Sequence, residues 1–164
     1  MAKVIRVIGD LSGSRTDVAA LPGGYSTGGN PAQGGFLVKA GTAASIQEGY
    51  LVIKDGSNAG YAKAAADACD STAVILGVAT SASTETAAAD GYVTVQWMQN
   101  LLVEIYAKTP ASLATSKLLS SYILDVTSGN YKLDEATTTN GFIRLLSYDN
   151  TTDGKCLALI TCNT

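Results

Sequence analysis

Turn residues punctuate this chain at short, regular intervals, and that spacing leaves room for little except short β-strands. From about Ile46 to Val95 the sequence reads SIQEGYLVIKDGSNAGYAKA, then AVILGVATSAS, then AADGYVTVQW. Runs of Val, Ile, Leu, Tyr and Thr are bounded each time by Gly, Asp, Asn or Ser, which is how strands are set off by turns. The same order returns between Lys117 and Ile160 as KLLSSYILDVTSGNYKLD, GFIRLLSYDN and TTDGKCLALI. Strand, small-residue turn, tyrosine, strand and Asp-Gly turn recur, so the chain is expected to be one β module written twice.

Within that frame, the VIRVI run ending at Ile8 puts Val4 and Arg6 on one side and Ile5 and Val7 on the other. From Gly9 to Gly35 the periodicity stops, with Pro22 and Pro31 among many glycines. Residues 1–35 therefore read as an extended N-terminal arm, either a binding segment or a disordered tail. Phe36 to Ala40 and Tyr50 to Lys54 resume β character, and Asp55-Gly56-Ser57-Asn58 is a hairpin turn. Tyr61 to Ala68 is rich in alanine and predicts a short helix that packing must support. Ala73 to Ala79 is a nearly all-apolar strand in which Gly77 marks a bulge. Residues 92–106 predict a hairpin turning at Gln99-Asn100, with Val93, Val95 and Trp97 on one face and Tyr92, Thr94 and Gln96 on the other. The later strands are expected at Tyr122–Val126, Tyr131–Leu133, Phe142–Tyr148 and Cys156–Thr161. About ten short strands at this spacing predict an all-β fold, a barrel or sandwich-like body. The expected organisation is a single β domain over 36–164 made of two similar halves, 36–109 and 110–164.

Composition narrows the function. Hydrophobic residues make up 46% of the chain but aromatics only 7%, so the core is built from small side chains. Charged residues are 15%, against about 25% in ordinary globular proteins. The surface is then rich in Ser, Thr, Ala and Gly, which suits a subunit packed among others. The net charge is −3, and Lys3, Arg6, Arg15, Lys39, Lys54 and Lys63 are scattered. Gripping a phosphate backbone needs clustered cations, so no nucleic-acid partner is expected. No window approaches the ~18 apolar residues of a membrane helix, so no membrane partner is expected either. The apolar run in MAKVIRVIGDL is too short for a secretory signal, and synthesis in the cytosol is expected.

The absence of histidine removes the usual Ser-His and Cys-His nucleophile pairs and the commonest metal ligand. Cys69, Cys156 and Cys162 are odd in number and lack metal-ligand spacing, and they read as reduced thiols. A carboxylate pair for glycoside hydrolysis would come from Asp55, Asp67, Asp70, Asp90, Glu104, Asp125, Asp134, Glu135, Asp149 and Asp153. Most of these occupy expected turns, where Asp is favoured for bonding its own backbone. Asp149 to Gly154 lacks the spacing and closing Glu of a calcium loop and reads as a hairpin turn. GGYSTGGNPAQGG fits neither nucleotide-binding glycine pattern. No catalytic residue, metal or cofactor is expected. Trp97, beside Met98, packs in the core or anchors an interface, and the VIRVI run is suited to strand addition on a neighbour.

The order of EGYLVIKDG, ILGVA and DGYVTV, followed by SYILDVTSGNYKL and FIRLLSYDNTTDGKCLALI, resembles the capsid decoration, or cement, proteins of tailed bacteriophages. The likeness spans roughly Phe36 to Ile160, and the second copy departs from it in reading IRLLS where the first has ILGVA. The resemblance implies a β-barrel-like body, usually trimeric, seated on the outer surface of the virion where capsomers meet. There it would hold the shell against internal DNA pressure without catalysis, after assembly in the host cytoplasm. Its partners would be the major capsid protein and neighbouring copies of itself. The residues expected at capsid or subunit interfaces are Val4, Ile5, Arg6, Val7, Ile8, Leu11, Arg15, Tyr25, Trp97 and Met98. The alternative is a carbohydrate-binding or head-fibre-base attachment module, which needs exposed aromatics in a row.

Overall fold

The turn-bounded runs become strands. A computed structural model describes residues 4–10, 35–41, 45–97, 101–149 and 151–161. In chain order the strands are β1 (Arg6–Asp10), β2 (Phe36–Val38), β3 (Leu51–Lys54), β4 (Tyr61–Ala64), β5 (Ile75–Ala79) and β6 (Gly91–Val93). They continue with β7 (Val95–Trp97), β8 (Leu101–Ala107), β9 (Ser121–Thr127), β10 (Asn130–Asp134), β11 (Ile143–Tyr148) and β12 (Lys155–Ile160). Among the described residues the only helical pieces are two 3-10 turns, Pro110–Ser112 and Thr115–Lys117. The fold is all-β, as the turn spacing predicts.

The strands divide between two compact units. The first contains residues 35–65 and 75–97 among those described, with sheet order β6-β2-β4-β3-β5-β7. Its two ends are halves of one run: residues 91–93 pair with β2, and residues 95–97 pair with β5. A break at Thr94 thus lets a single segment close the ring. Val38, Ile46, Val52, Ala62, Ala79, Val93 and Val95 fill it, with Phe36, Tyr50, Ala64 and Leu76 packed against them. These are mostly small side chains, as the low aromatic content requires.

The second unit contains residues 4–10, 66–74 and 101–161 among those described. Its ring runs β8-β10-β9-β11-β12 and returns to β8, a closed five-stranded barrel. Alternation is clean here. Leu101, Val103, Ile105 and Ala107 of β8 and Cys156, Ala158 and Ile160 of β12 are buried, while the residues between them are not. β1 is a sixth strand: it lies antiparallel to β8 along residues 101–104, and β10 runs parallel to β8 at 106–107. Both therefore share the edge of β8 that β12 leaves open.

The two rings have one topology. In each, the first and third strands are parallel, β2 with β4 and β8 with β10. The second strand pairs antiparallel with the third and with the fourth. The last closes the ring onto the first and the fourth, again antiparallel. The repetition seen in the sequence is thus a repetition of strand order and direction. The boundary between copies falls at residues 98–100, though, and not near 109. The hairpin expected over 92–106 is absent from the described pairings, because β7 joins β5 whereas β8 opens the second ring.

Two other expectations change. Tyr61–Ala64 is a strand and not the start of a helix, since the Asp55 turn folds it back onto β3 in the register Val52 to Ala64 and Lys54 to Ala62. The Asp55 carboxylate fixes that turn by accepting the Ser57 N–H at 3.0 Å and the Asn58 side-chain N–H at 2.6 Å. Ladder pairing on both edges outweighs the alanine helix preference of so short a piece. The other change concerns the arm, because residues 6–10 form β1 of the second unit's sheet; residues 11–34 lie outside the described residues. The bulge anticipated at Gly77 is present, as Val52 pairs with Gly77 while Ile53 pairs with Ile75.

Candidate functional site

Several of the carboxylates that stand out in the sequence hold loops, and others pair with lysines. Glu135, 2% exposed, accepts the backbone N–H groups of Lys108 and Thr109 at 3.1 and 2.9 Å and the Ser112 hydroxyl at 2.7 Å. It thereby pins the start of the connection between β8 and β9. Beside it Lys108 Nζ lies 2.6 Å from Asp125 and 3.3 Å from Asp134, and the two carboxylates push the lysine pKa upward. Asp149 accepts the Thr151 hydroxyl and the Lys155 N–H, so Asp149 to Gly154 is the expected hairpin turn. In the first unit Asp90 accepts from the Tyr61 hydroxyl at 2.6 Å and the Ala40 N–H at 2.8 Å, with Lys39 at 3.2 Å. Among the described residues no group of three or more Cys, Asp or Glu is placed to hold a metal. Burial pushes the Cys69 thiol up to about 11 and Cys156 to about 12. Both thiols are free and buried, as expected of reduced cysteines.

What the second barrel does offer is surface. Cross-strand register aligns rows of side chains on its outer face, the face opposite the buried set. Gly9, Leu102, Leu159 and Arg144 form one row across β1, β8, β12 and β11, and Arg6, Glu104, Leu157 and Ser147 form the next. In a third row Lys132 and Lys155 flank Tyr106. Lys155 pairs with Glu104 at 3.3 Å. A shallow cavity of about 220 Å³ indents this wall where Glu104, Ser147, Tyr148, Asp149, Lys155 and Leu157 meet. Leucines therefore stand outward among cations from distant parts of a chain whose net charge is negative. Linear spacing hid that cluster. The available signal was the doubled apolar alternation of LLVEIYA and KCLALI, in which both faces carry leucine or isoleucine.

β1 borders this face. Among the described residues it has one strand neighbour, β8, and none on its other edge. The ladder skips Ile8 between Val7 and Gly9, and the isoleucine at that bulge is 52% exposed. Of the interface residues expected from sequence, Arg6 is exposed and Val4 and Val7 are half-buried. Ile5 is 2% exposed and belongs to the core, which removes it from any outward contact. Trp97 lies in β7 and its side chain is outside the description, as are Leu11, Arg15, Tyr25 and Met98 altogether.

Across the barrel from the β8–β12 pair, residues 66–74 lie along β9. Cys69 bridges Leu124, and Asp67 accepts the Val126 N–H at 3.0 Å. This strap leaves Asp67 exposed, Asp70 partly so, and Val74 58% exposed. Comparison with protein-family models, with curated proteins and with solved structures finds no match to this chain.

Proposed function

We propose that the chain is a non-enzymatic virion structural protein that decorates a phage capsid and stabilises it from the outer surface. The observation that carries this reading is Ile8, exposed at the bulge of β1, a strand with a single strand neighbour among the described residues, on a barrel whose Glu135 and Asp149 hold its own loops. An edge strand offers a row of unpaired backbone groups to a strand of another protein, and an apolar side chain beside it adds contact area. The likeness of EGYLVIKDG, ILGVA and DGYVTV to cement proteins supports the same conclusion. Cement works by many modest contacts, because symmetry multiplies a weak site over a whole shell.

The test mixes the purified protein with expanded empty capsids of its phage and sediments them. Wild type is expected in the pellet, and Ile8→Lys is expected to bind at least about tenfold more weakly, the equivalent of 1.4 kcal/mol. Wild-type protein that stays in the supernatant at every concentration ends this reading. Tyr148 beside Glu104, Ser147 and Asp149 in the shallow cavity favours glycan attachment as the second reading. A glycan array on which nothing is retained discards it.

A further inference from the structure

We infer that Asn140 is a self-modification site, where the side-chain amide is lost to attack by the Gly141 backbone nitrogen and the product loosens the strap of residues 66–74 at Ser71. The fold itself selects the labile pair. Asn140 has φ 55° and is the third residue of a turn closed by the Gly141 N–H on the Thr138 carbonyl at 3.1 Å. That position favours a residue that tolerates the left-handed region, chiefly Gly, Asn or Asp. The next position has no space for a side chain, since a Cβ on Gly141 would strike the backbone of Ser121 and Tyr122. Asn followed by Gly satisfies both demands, and a glycine leaves its own nitrogen unshielded by a Cβ.

Thr138, Thr139 and Asn140 are exposed, so water and base reach the turn, and the Asn140 amide bonds Asp70 at a long 3.4 Å. Attack requires the Gly141 N–H to leave Thr138, an opening confined to one exposed turn. The nitrogen gives its proton to base and bonds Asn140 Cγ; the bond from Cγ to the amide nitrogen breaks, ammonia leaves and a cyclic imide closes. Water then opens the imide at either carbonyl, giving aspartate or, with the main chain rerouted through Cβ, isoaspartate.

Two contacts of the strap end on this residue. The Asn140 side chain donates to Asp70, and its main-chain carbonyl accepts the Ser71 N–H at 2.8 Å. Conversion replaces the donor to Asp70 by a second carboxylate, and in isoaspartate the extra main-chain carbon also displaces the carbonyl. Cys69 and Asp67 still meet Leu124 and Val126 of β9, so the strap comes loose at one end and stays attached at the other. This inference stands apart from capsid binding, since it concerns the isolated chain and needs no partner.

The test ages the purified, folded protein in mildly alkaline buffer and follows it by peptide mass mapping. The peptide that contains Asn140 is expected to show the mass gain of an amide turned into an acid. It should do so at least about tenfold faster than those with Asn58 or Asn130, which precede Ala59 and Tyr131 and so face a nitrogen crowded by a Cβ. In aged protein the Ser71 amide is expected to exchange with solvent at least about tenfold faster than in fresh protein, while Leu124 and Val126 keep their protection. Asn140→Gly accepts the positive φ and has no amide to lose, so its Ser71 exchange is expected to be the same before and after ageing. Should that variant fail to fold by circular dichroism, fresh and aged wild type decide the matter alone. Conversion at Asn140 no faster than at Asn58 and Asn130, converted protein that keeps its Ser71 protection, or a folded Asn140→Gly that loses it with age each overturns the inference.

Discussion

Glu135 shows how much one buried carboxylate organises. Its two oxygens accept from two backbone amides and a hydroxyl, and its own carbonyl accepts from Lys117 Nζ at 2.7 Å. Replacing Glu135 by Ala strands those donors at the head of the 108–117 connection. The expected loss is about 2–4 kcal/mol in the urea unfolding free energy, with Gln costing less because it keeps an acceptor. The thiols set a second test. Cys69 and Cys156 ionise at about 11 and about 12 when folded, against about 8.5 in an unfolded chain. Their folded pKa values are raised, so their contribution to stability is complete below about pH 8.5 and disappears as pH climbs through 11 to 12. The urea midpoint is therefore expected to fall on the alkaline side. Peptide mapping after alkylation at pH 8 should find both cysteines modified on the order of a hundredfold more slowly in native protein than in urea.

At the level of elements, strand positions were legible because each ends in residues that bond their own backbone. Asp55 accepts the Ser57 N–H and Asp149 the Thr151 and Lys155 N–H groups, and the sequence displays such turns directly. What turn chemistry does not encode is the partner. Gln99-Asn100 reads as a hairpin turn, yet the strands on either side of it belong to different rings. Tyr61 to Ala64 failed for a related reason, since alanine's helix preference is local and the ladder with β2 and β3 is not. Two glycines were legible only as turn markers, although their real constraint is close approach. A Cβ on Gly141 would collide with the backbone of Ser121 and Tyr122, and one on Gly91 with the backbone of Thr84 and Glu85. Gly141→Ala and Gly91→Ala are each expected to cost about 2 kcal/mol or more. Hydrogen exchange should show the earliest loss of protection in the ring that carries the substitution.

For the molecule as a whole, the doubling was legible and its boundary was not. Tyr50 immediately precedes β3 and Tyr122 is the second residue of β9, while Tyr61 and Tyr131 follow equivalent turns, so the eye aligns the copies from the second strand onward. The first strand of each copy escapes because β2 has three residues and β8 has seven. The outward rows of the second barrel escaped for a plainer reason: Arg6, Lys132, Arg144 and Lys155 come onto one wall only through strand pairing. The N-terminal strand also changes what a truncation means. Removing residues 1–10 takes away β1 and the buried Ile5, worth about 2 kcal/mol or more of apolar burial, so the truncated chain should unfold at lower urea.

The path of the chain has a further consequence for how the protein is made. β1 leaves the ribosome before the first ring, and the strap interrupts that ring, yet the strands that hold them, β8 and β9, are translated after it. Two early pieces must wait, unpaired, for their late partners. A nascent chain arrested before β8 therefore carries an unclaimed edge and is the species on which a holding chaperone would act.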